Sequence, residues 1–160
     1  MEILIVSDSH GRADNLREVL RSHPNAKYLL FCGDGLRDVG IAAREFPNVI
    51  TAVVRGNCDW LSDIPAELYF KIDGVRILLM HGHTHSVKSG MDTALAYAKE
   101  KDAQILIYGH THIPKNEYVS DMGITLFNPG SLAERTREGY SYGVLEIRNG
   151  KYLLSHGNIK

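Results

Sequence analysis

The chain has 160 residues, 44% of them hydrophobic and 23% charged, and a net charge of −1. That length is read as one domain, residues 1–160, with a substantial core, and a near-zero charge speaks against an extended nucleic-acid surface, which needs a basic excess. No apolar run is long enough for a membrane helix, no signal-peptide pattern precedes the first strand, and Cys32 and Cys58 are too few for a disulfide scaffold, so a cytoplasmic protein with reduced thiols is expected.

Ile3 to Val6 is a short, β-branched apolar run, the pattern of a strand buried on both faces. It runs into Asp8-Ser-His10-Gly11. Leu16, Val19 and Leu20 then recur at helical spacing between Arg12 and Arg21, and Ser22-His23-Pro24 ends that helix. A second strand, Tyr28 to Cys32, ends in Gly33-Asp34-Gly35; a helix from Leu36 to Phe46 follows, stopped by Pro47. Val49 to Val54 forms a third strand, ending in Arg55-Gly-Asn-Cys-Asp59. The β–α–β–α–β order predicts right-handed crossovers and a largely parallel sheet.

Trp60 to Pro65 reads as a loop. Glu67–Ile72 and Val75–Met80 flank Asp73-Gly74, a two-residue hairpin signal, and the second strand ends in His81-Gly-His-Thr-His85. A helix over Met91 to Lys101 turns Ala94, Leu95 and Ala98 inward. Gln104 to Tyr108 is a strand ending in Gly109-His-Thr-His112, and one further strand, Val119 to Phe127, leads to Asn128-Pro-Gly-Ser131. Tyr142–Ile147 and Tyr152–Ser155 flank Asn149-Gly150, a second hairpin signal.

Five predicted strands thus end in side chains able to bind a cation: Asp8 and His10, Asp34, Asn57, His81, then His110 and His112. Ligands of open α/β sheets gather beyond the carboxyl ends of the strands, so these tips are expected around one cleft. Glycines at 33, 56, 82 and 109 permit the sharp turns or close approaches such a rim needs. Seven donors exceed the four that a closed structural zinc site uses. The count points to two ions; if Asp34 bridges them, each receives about four protein donors, and two ions about 4 Å apart make a bridging hydroxide and stabilise a transferring phosphoryl group. The mixed nitrogen and oxygen donors fit manganese first, with iron, zinc or nickel as alternatives.

Asp8-x-His10, Gly33-Asp34, Gly56-Asn57, His81 and Gly109-His110-x-His112, in that order along the whole chain, resemble the signature of the calcineurin-like metallophosphoesterases. The compact length, Val54-Arg-Gly-Asn-Cys-Asp59 and Asn128-Pro-Gly-Ser131 look most like the small prokaryotic YfcE-type branch. The resemblance implies a four-layer α/β/β/α sandwich with two mixed sheets. It also implies one metal on Asp8, His10, Asp34 and His112 and another on Asp34, Asn57, His81 and His110, and a phosphodiesterase acting on a small phosphate ester.

Many members of that family carry a histidine after the metal-binding asparagine, where it protonates the leaving group; here Cys58 stands there. A thiol is a poor general acid near neutral pH, so esters with good leaving groups are expected to be favoured. His83, two positions past His81, is the candidate to fill part of that role. Arg55 is suited to bind a substrate phosphate, with a surface ion pair as the competing reading. His23, His85 and His156 match no ligand position. The His81–His85 run superficially resembles the H-x-H-x-D-H motif of metallo-β-lactamase-type hydrolases, but Thr84 occupies the aspartate position and that reading leaves Asp8, His10 and Asp34 idle. Two alternatives to an enzyme are a non-catalytic scaffold on the same fold and a slow-turnover phosphate- or nucleotide-binding module. The hairpin Glu67–Met80 is a candidate homodimer surface, and no membrane partner is expected.

Overall fold

The computed structural model describes all 160 residues. In chain order the elements are β1 (Glu2–Val6), α1 (Ala13–Ser22), β2 (Tyr28–Phe31), α2 (Leu36–Glu45), β3 (Ile50–Val53), β4 (Glu67–Ile72) and β5 (Val75–Met80). A single 3-10 turn (His83–His85) precedes α3 (Asp92–Glu100), β6 (Ile105–Ile107), β7 (Lys115–Val119), β8 (Ile124–Asn128), β9 (Tyr140–Arg148) and β10 (Lys151–Ile159).

The strands form two five-stranded sheets, ordered β10-β9-β1-β2-β3 and β4-β5-β6-β8-β7. Each has three parallel strands, β1-β2-β3 in one and β5-β6-β8 in the other, with antiparallel neighbours added by hairpins. The β–α–β–α–β order predicted the parallel run β1-β2-β3, and the two mixed sheets are those the family resemblance implies. Period-2 and period-3.6 patterns fix elements but not which edge a later strand joins.

Alternation along the strands builds the layers. Ile3 and Ile5 of β1 face the second sheet, packing with Ile77 and Leu79 of β5, Ile105 and Ile107 of β6 and Phe127 of β8. Leu4 and Val6 point the other way, onto Leu16, Val19 and Leu20 of α1 and Val39 and Ala42 of α2. Leu78 and Met80 of β5 and Leu106 of β6 pack outward against Ala94 and Ala98 of α3. Three apolar interfaces make four layers, α/β/β/α. All four residues from Ile3 to Val6 are fully buried, each contributing about 1.5–3 kcal/mol of transfer free energy, so the strand carrying Asp8 is anchored on both faces.

Two local expectations change. The run Val119–Phe127 is not one strand: it ends β7, turns at 120–123 and continues as β8, which pairs antiparallel with β7. β7 reads Lys-Asn-Glu-Tyr-Val, an exposed edge strand without apolar alternation, and it left no pattern to detect. Leu95 lies at the margin of the α3 interface, whereas Ala94 and Ala98 are fully buried.

Candidate metal centre

The carboxyl ends of β1, β2 and β3 meet those of β5 and β6 where the two sheets face each other. The loops are held backbone to backbone: the Asp8 amide donates to the Gly33 carbonyl at 3.0 Å and the His10 amide to that of Asp34 at 3.1 Å. Five of the seven candidate donors have left-handed backbone, Asp8 (φ 52°), His10 (41°), Asp34 (61°), His110 (67°) and His112 (60°). That conformation costs a non-glycine residue about 1–2 kcal/mol and concentrates at sites where surrounding structure enforces it.

Each carboxylate has one oxygen tied to protein and one turned inward. Asp8 Oδ2 accepts from the Ser7 hydroxyl and from the His110 amide at 3.0 Å. Its Oδ1 faces Nε2 of His112 at 3.1 Å, of His10 at 3.5 Å and of His81 at 4.0 Å. Asp34 Oδ1 accepts from the Cys58 amide at 2.8 Å. Its Oδ2 lies between His81 Nε2 at 3.4 Å and His10 Nε2 at 3.7 Å. Asp8, Asp34 and His81 are buried, whereas His10 and Asn57 are exposed, so the cluster opens on one side.

The imidazoles are oriented from behind. His81 Nδ1–H donates to the Cys32 carbonyl at 2.7 Å. Its Nε2 then converges with Asn57 Oδ1 at 3.0 Å and His110 Nδ1 at 3.1 Å. His112 Nδ1–H donates to Glu134 Oε2 at 2.6 Å, aiming Nε2 at Asp8. Lone pairs converging in this way are satisfied by shared protons or by a cation between them, and a carboxylate or carbonyl behind a ligating histidine is the usual way its tautomer is fixed. The donor set therefore fits divalent metal. Three groupings emerge, Asp8–His10–His112, Asp34–His81–His110 and His10–Asp34–Cys58, with Asp34 Oδ2 reaching His10 of the first.

In the metal-free protein protons fill part of this role. The Asp8 hydrogen bond, opposed by burial and reinforced by Glu134, raises His112 to about 9. Burial would lower His81, but Asp34 and Asp8 outweigh it and raise it. Burial, with the charges of His81 and Lys88, lowers His110 to about 4. Burial works against the Asp34 carboxylate, yet His81 and the Cys58 amide hold its pKa well below the usual range. Metal binding must displace these protons.

Close approach explains two glycines. A Cβ on Gly56 would sit 2.0 Å from Asp34 Oδ1, and one on Gly109 would sit 2.0 Å from Ser7 Oγ and 2.8 Å from Asp8 Oδ2. Glycine is required at both because the carboxylates occupy the space.

Of the remaining candidates, Arg55 and His83 line a cleft beside Asn57, and no ion pair engages Arg55 in the manner of the competing reading. The His83 ring lies 5.3 Å from that of His81, and its buried Nδ1 has no hydrogen-bond partner. Cys58 is exposed, with its thiol grouped near His10 and Asp34. His85 packs tilted against Tyr97, His23 bonds Tyr142 and His156 stacks on Phe127, all outside the cluster.

Sequence reading quoted the Val54–Asp59 and Asn128–Ser131 segments but gave their supporting residues no role, and it passed over Asp38 and Glu134. Asp59 accepts from four backbone amides, those of Asp34, Gly35, Leu36 and Gly56, at 2.7–3.2 Å. Buried Asp38 accepts from Ser9 Oγ at 2.5 Å and the Gly11 amide at 2.9 Å, bracing the Asp8–His10 loop. Asn128 Nδ2 donates to the Gly109 carbonyl and to Thr111 Oγ1, both at 3.0 Å, and Ser131 Oγ donates to the Asp8 carbonyl at 2.9 Å. The Asn128–Ser131 segment is thus a buttress for the donor loops. Glu134 left no signal, being one polar residue on an exposed loop.

A two-sheet sandwich with nitrogen and oxygen donors gathered beyond its strand ends is the build of a metal-dependent phosphoesterase. Residues 1–150 match the calcineurin-like phosphoesterase superfamily domain, and the chain belongs to that superfamily, whose members use divalent metals. It is 34% identical over 151 residues to YsnB of Bacillus subtilis, named a probable metallophosphoesterase, covering 93% of this chain and 86% of that protein. With phosphodiesterase YfcE of Escherichia coli K12 the identity is 30% over 172 residues, covering 91% and 88%. A solved structure from Streptococcus pneumoniae TIGR4, described as a predicted phosphoesterase, superposes with a TM-score of 0.81 at 26% identity over 97% of this chain and 87% of that one. Wild-type Vps29 of Entamoeba histolytica, solved with zinc, shares the fold at a TM-score of 0.73 and 23% identity, each chain being 98% covered.

Proposed function

We propose that this chain is a two-cation phosphodiesterase, with Asp8, His10, Asp34 and His112 holding one ion and Asp34, Asn57, His81 and His110 the other. The observation that carries this reading is Asp34 Oδ2, set between His10 Nε2 at 3.7 Å and His81 Nε2 at 3.4 Å while the other carboxylate oxygen is tied to backbone. Two divalent ions supply an activated water and stabilise charge on a phosphoryl group. Manganese is the proposed metal, on the nitrogen and oxygen donor set.

The chain's own residues then sort by side. Asp34 joins the two donor sets, and Glu134 and the Cys32 carbonyl hold the imidazoles in register. Arg55, unpaired in the cleft beside Asn57, is placed to bind a phosphate oxygen. Burial and the charge of Asp34 raise the Cys58 thiol, so it stays protonated but is a weak acid. Burial and the charges of His81 and Arg55 lower His83, leaving a neutral imidazole that offers a leaving oxygen a hydrogen bond rather than a full proton. Such a site favours diesters with stable leaving groups. A scaffold reading would leave seven convergent donors unused.

The test is hydrolysis of a bis-aryl phosphate and the matching monoester by metal-stripped protein, before and after manganese is added. Manganese-dependent diester turnover, lost in Asp34→Asn, is expected. No turnover with any divalent metal refutes the enzyme.

A further inference from the structure

The loop between β3 and β4 carries the two most exposed large apolar side chains of the molecule, Trp60 at 83% and Leu61 at 106%. They are not scattered surface residues. Both border a cleft of about 360 Å³ together with Arg55, Asn57 and His83, so an indole face stands beside a candidate metal donor and an unpaired guanidinium.

The backbone on either side of that indole is tied down. Asp59, immediately before Trp60, is fastened to the loops carrying Asp34 and Asn57 by four amide hydrogen bonds of 2.7–3.2 Å. The loop closes at its far end through the Arg55 amide donating to the Pro65 carbonyl at 3.0 Å. Within it, the Ile64 amide donates to Ser62 Oγ at 3.1 Å, and Leu61 is kept at φ 56°. A loop anchored on both sides thus presents an indole to solvent at the edge of the candidate centre.

We propose that Trp60 is the platform on which a planar aromatic group of the ester stacks, a nucleobase above all, with Leu61 as the adjoining apolar wall. The proposal rests on the phosphoesterase reading of the neighbouring donors, which supplies the phosphate end of the ligand. Flat π faces stack on indole largely irrespective of base identity. A quaternary ammonium headgroup also favours indole, but Arg55 shares the cleft and repels it, while the nearby Asp59 carboxylate is engaged by its four amides. The charge balance therefore selects an aromatic phosphate over a cationic one.

Trp60 is the single tryptophan of the chain, so its emission reads the platform directly. The experiment titrates protein loaded with zinc, a d10 ion, with AMP, ribose 5-phosphate and phosphocholine, following Trp60 fluorescence, and repeats the titrations calorimetrically on Trp60→Ala and Trp60→Phe. AMP is expected to quench saturably and to bind about tenfold tighter than ribose 5-phosphate, within the range measured for one stacked base. Trp60→Ala should abolish that preference and Trp60→Phe should restore most of it. Equal affinities for AMP and ribose 5-phosphate in the unaltered protein, a preference that survives in Trp60→Ala, tighter binding of phosphocholine, or no binding of AMP each overturns the proposal. Failure of the phosphoesterase reading shows separately, as absent ester hydrolysis alongside an intact AMP preference.

Discussion

Replacing Asp59 by Asn tests whether a side chain outside the donor set holds the centre together. Oδ2 of Asp59 accepts from the Asp34 and Gly56 amides, both at 2.7 Å, and Oδ1 from those of Gly35 at 3.0 Å and Leu36 at 3.2 Å. The last two open α2, whose own N-cap residue, Gly35, provides no side-chain cap; Asp59 caps that helix from the neighbouring loop. An Asn side chain keeps the shape but turns one acceptor into an N–H donor, leaving two amides facing it. Two lost bonds at about 1 kcal/mol each, plus about 0.5–1 kcal/mol of charge–dipole attraction at the helix start, give roughly 2–3 kcal/mol, partly offset because the residue is half-exposed. With a urea slope of about 2 kcal/mol per molar, the unfolding midpoint should fall by roughly 1 M. Calorimetric metal titration should show a parallel loss of affinity, because Asp34 sits on the loosened loop. An unchanged midpoint together with unchanged metal affinity would refute the assignment of Asp59 as the clamp between these loops.

Three further outcomes are expected. Glu134→Gln keeps an acceptor for His112 Nδ1–H but removes its charge; with this carboxylate mostly exposed, metal affinity should fall about tenfold, the low end for such partners, and unaltered affinity in a calorimetric titration counts against the pairing. Gly109→Ala places a methyl group 2.0 Å from Ser7 Oγ and 2.8 Å from Asp8 Oδ2, so the first metal should bind at least tenfold more weakly while circular dichroism stays native; full retention of both metals would show that the loop has room. In chelator-treated protein, His112, raised to about 9 by Asp8 and Glu134 from the ordinary imidazole value of 6.5, stabilises the fold fully below pH 6.5 and loses that contribution as pH rises through 9. The urea midpoint of the metal-free protein should therefore decline across that interval, and a flat profile contradicts the placing of His112.

The sequence by itself marked the candidate donors and the strands that carry them. An apolar run such as Ile3–Val6 followed at once by Asp8 and His10 is a local signal, since burial on both faces and a polar tip are written in consecutive residues. The same holds for Asp34, His81, His110 and His112, and the Asp73-Gly74 and Asn149-Gly150 turns mark their hairpins equally locally.

Tertiary structure decided what lies between distant residues. That β9 and β10 join the sheet of β1, while β4 to β8 make a second one, follows from pairing across long separations that no periodicity encodes. β7 escaped notice because an edge strand half in water needs no apolar alternation. Glu134 behind His112, Asp59 beneath Asp34, and Asp38 under Ser9 come from 22 to 29 residues away. Their hydrogen bonds depend on distance in space, and the chain reveals those distances only once its two sheets have packed.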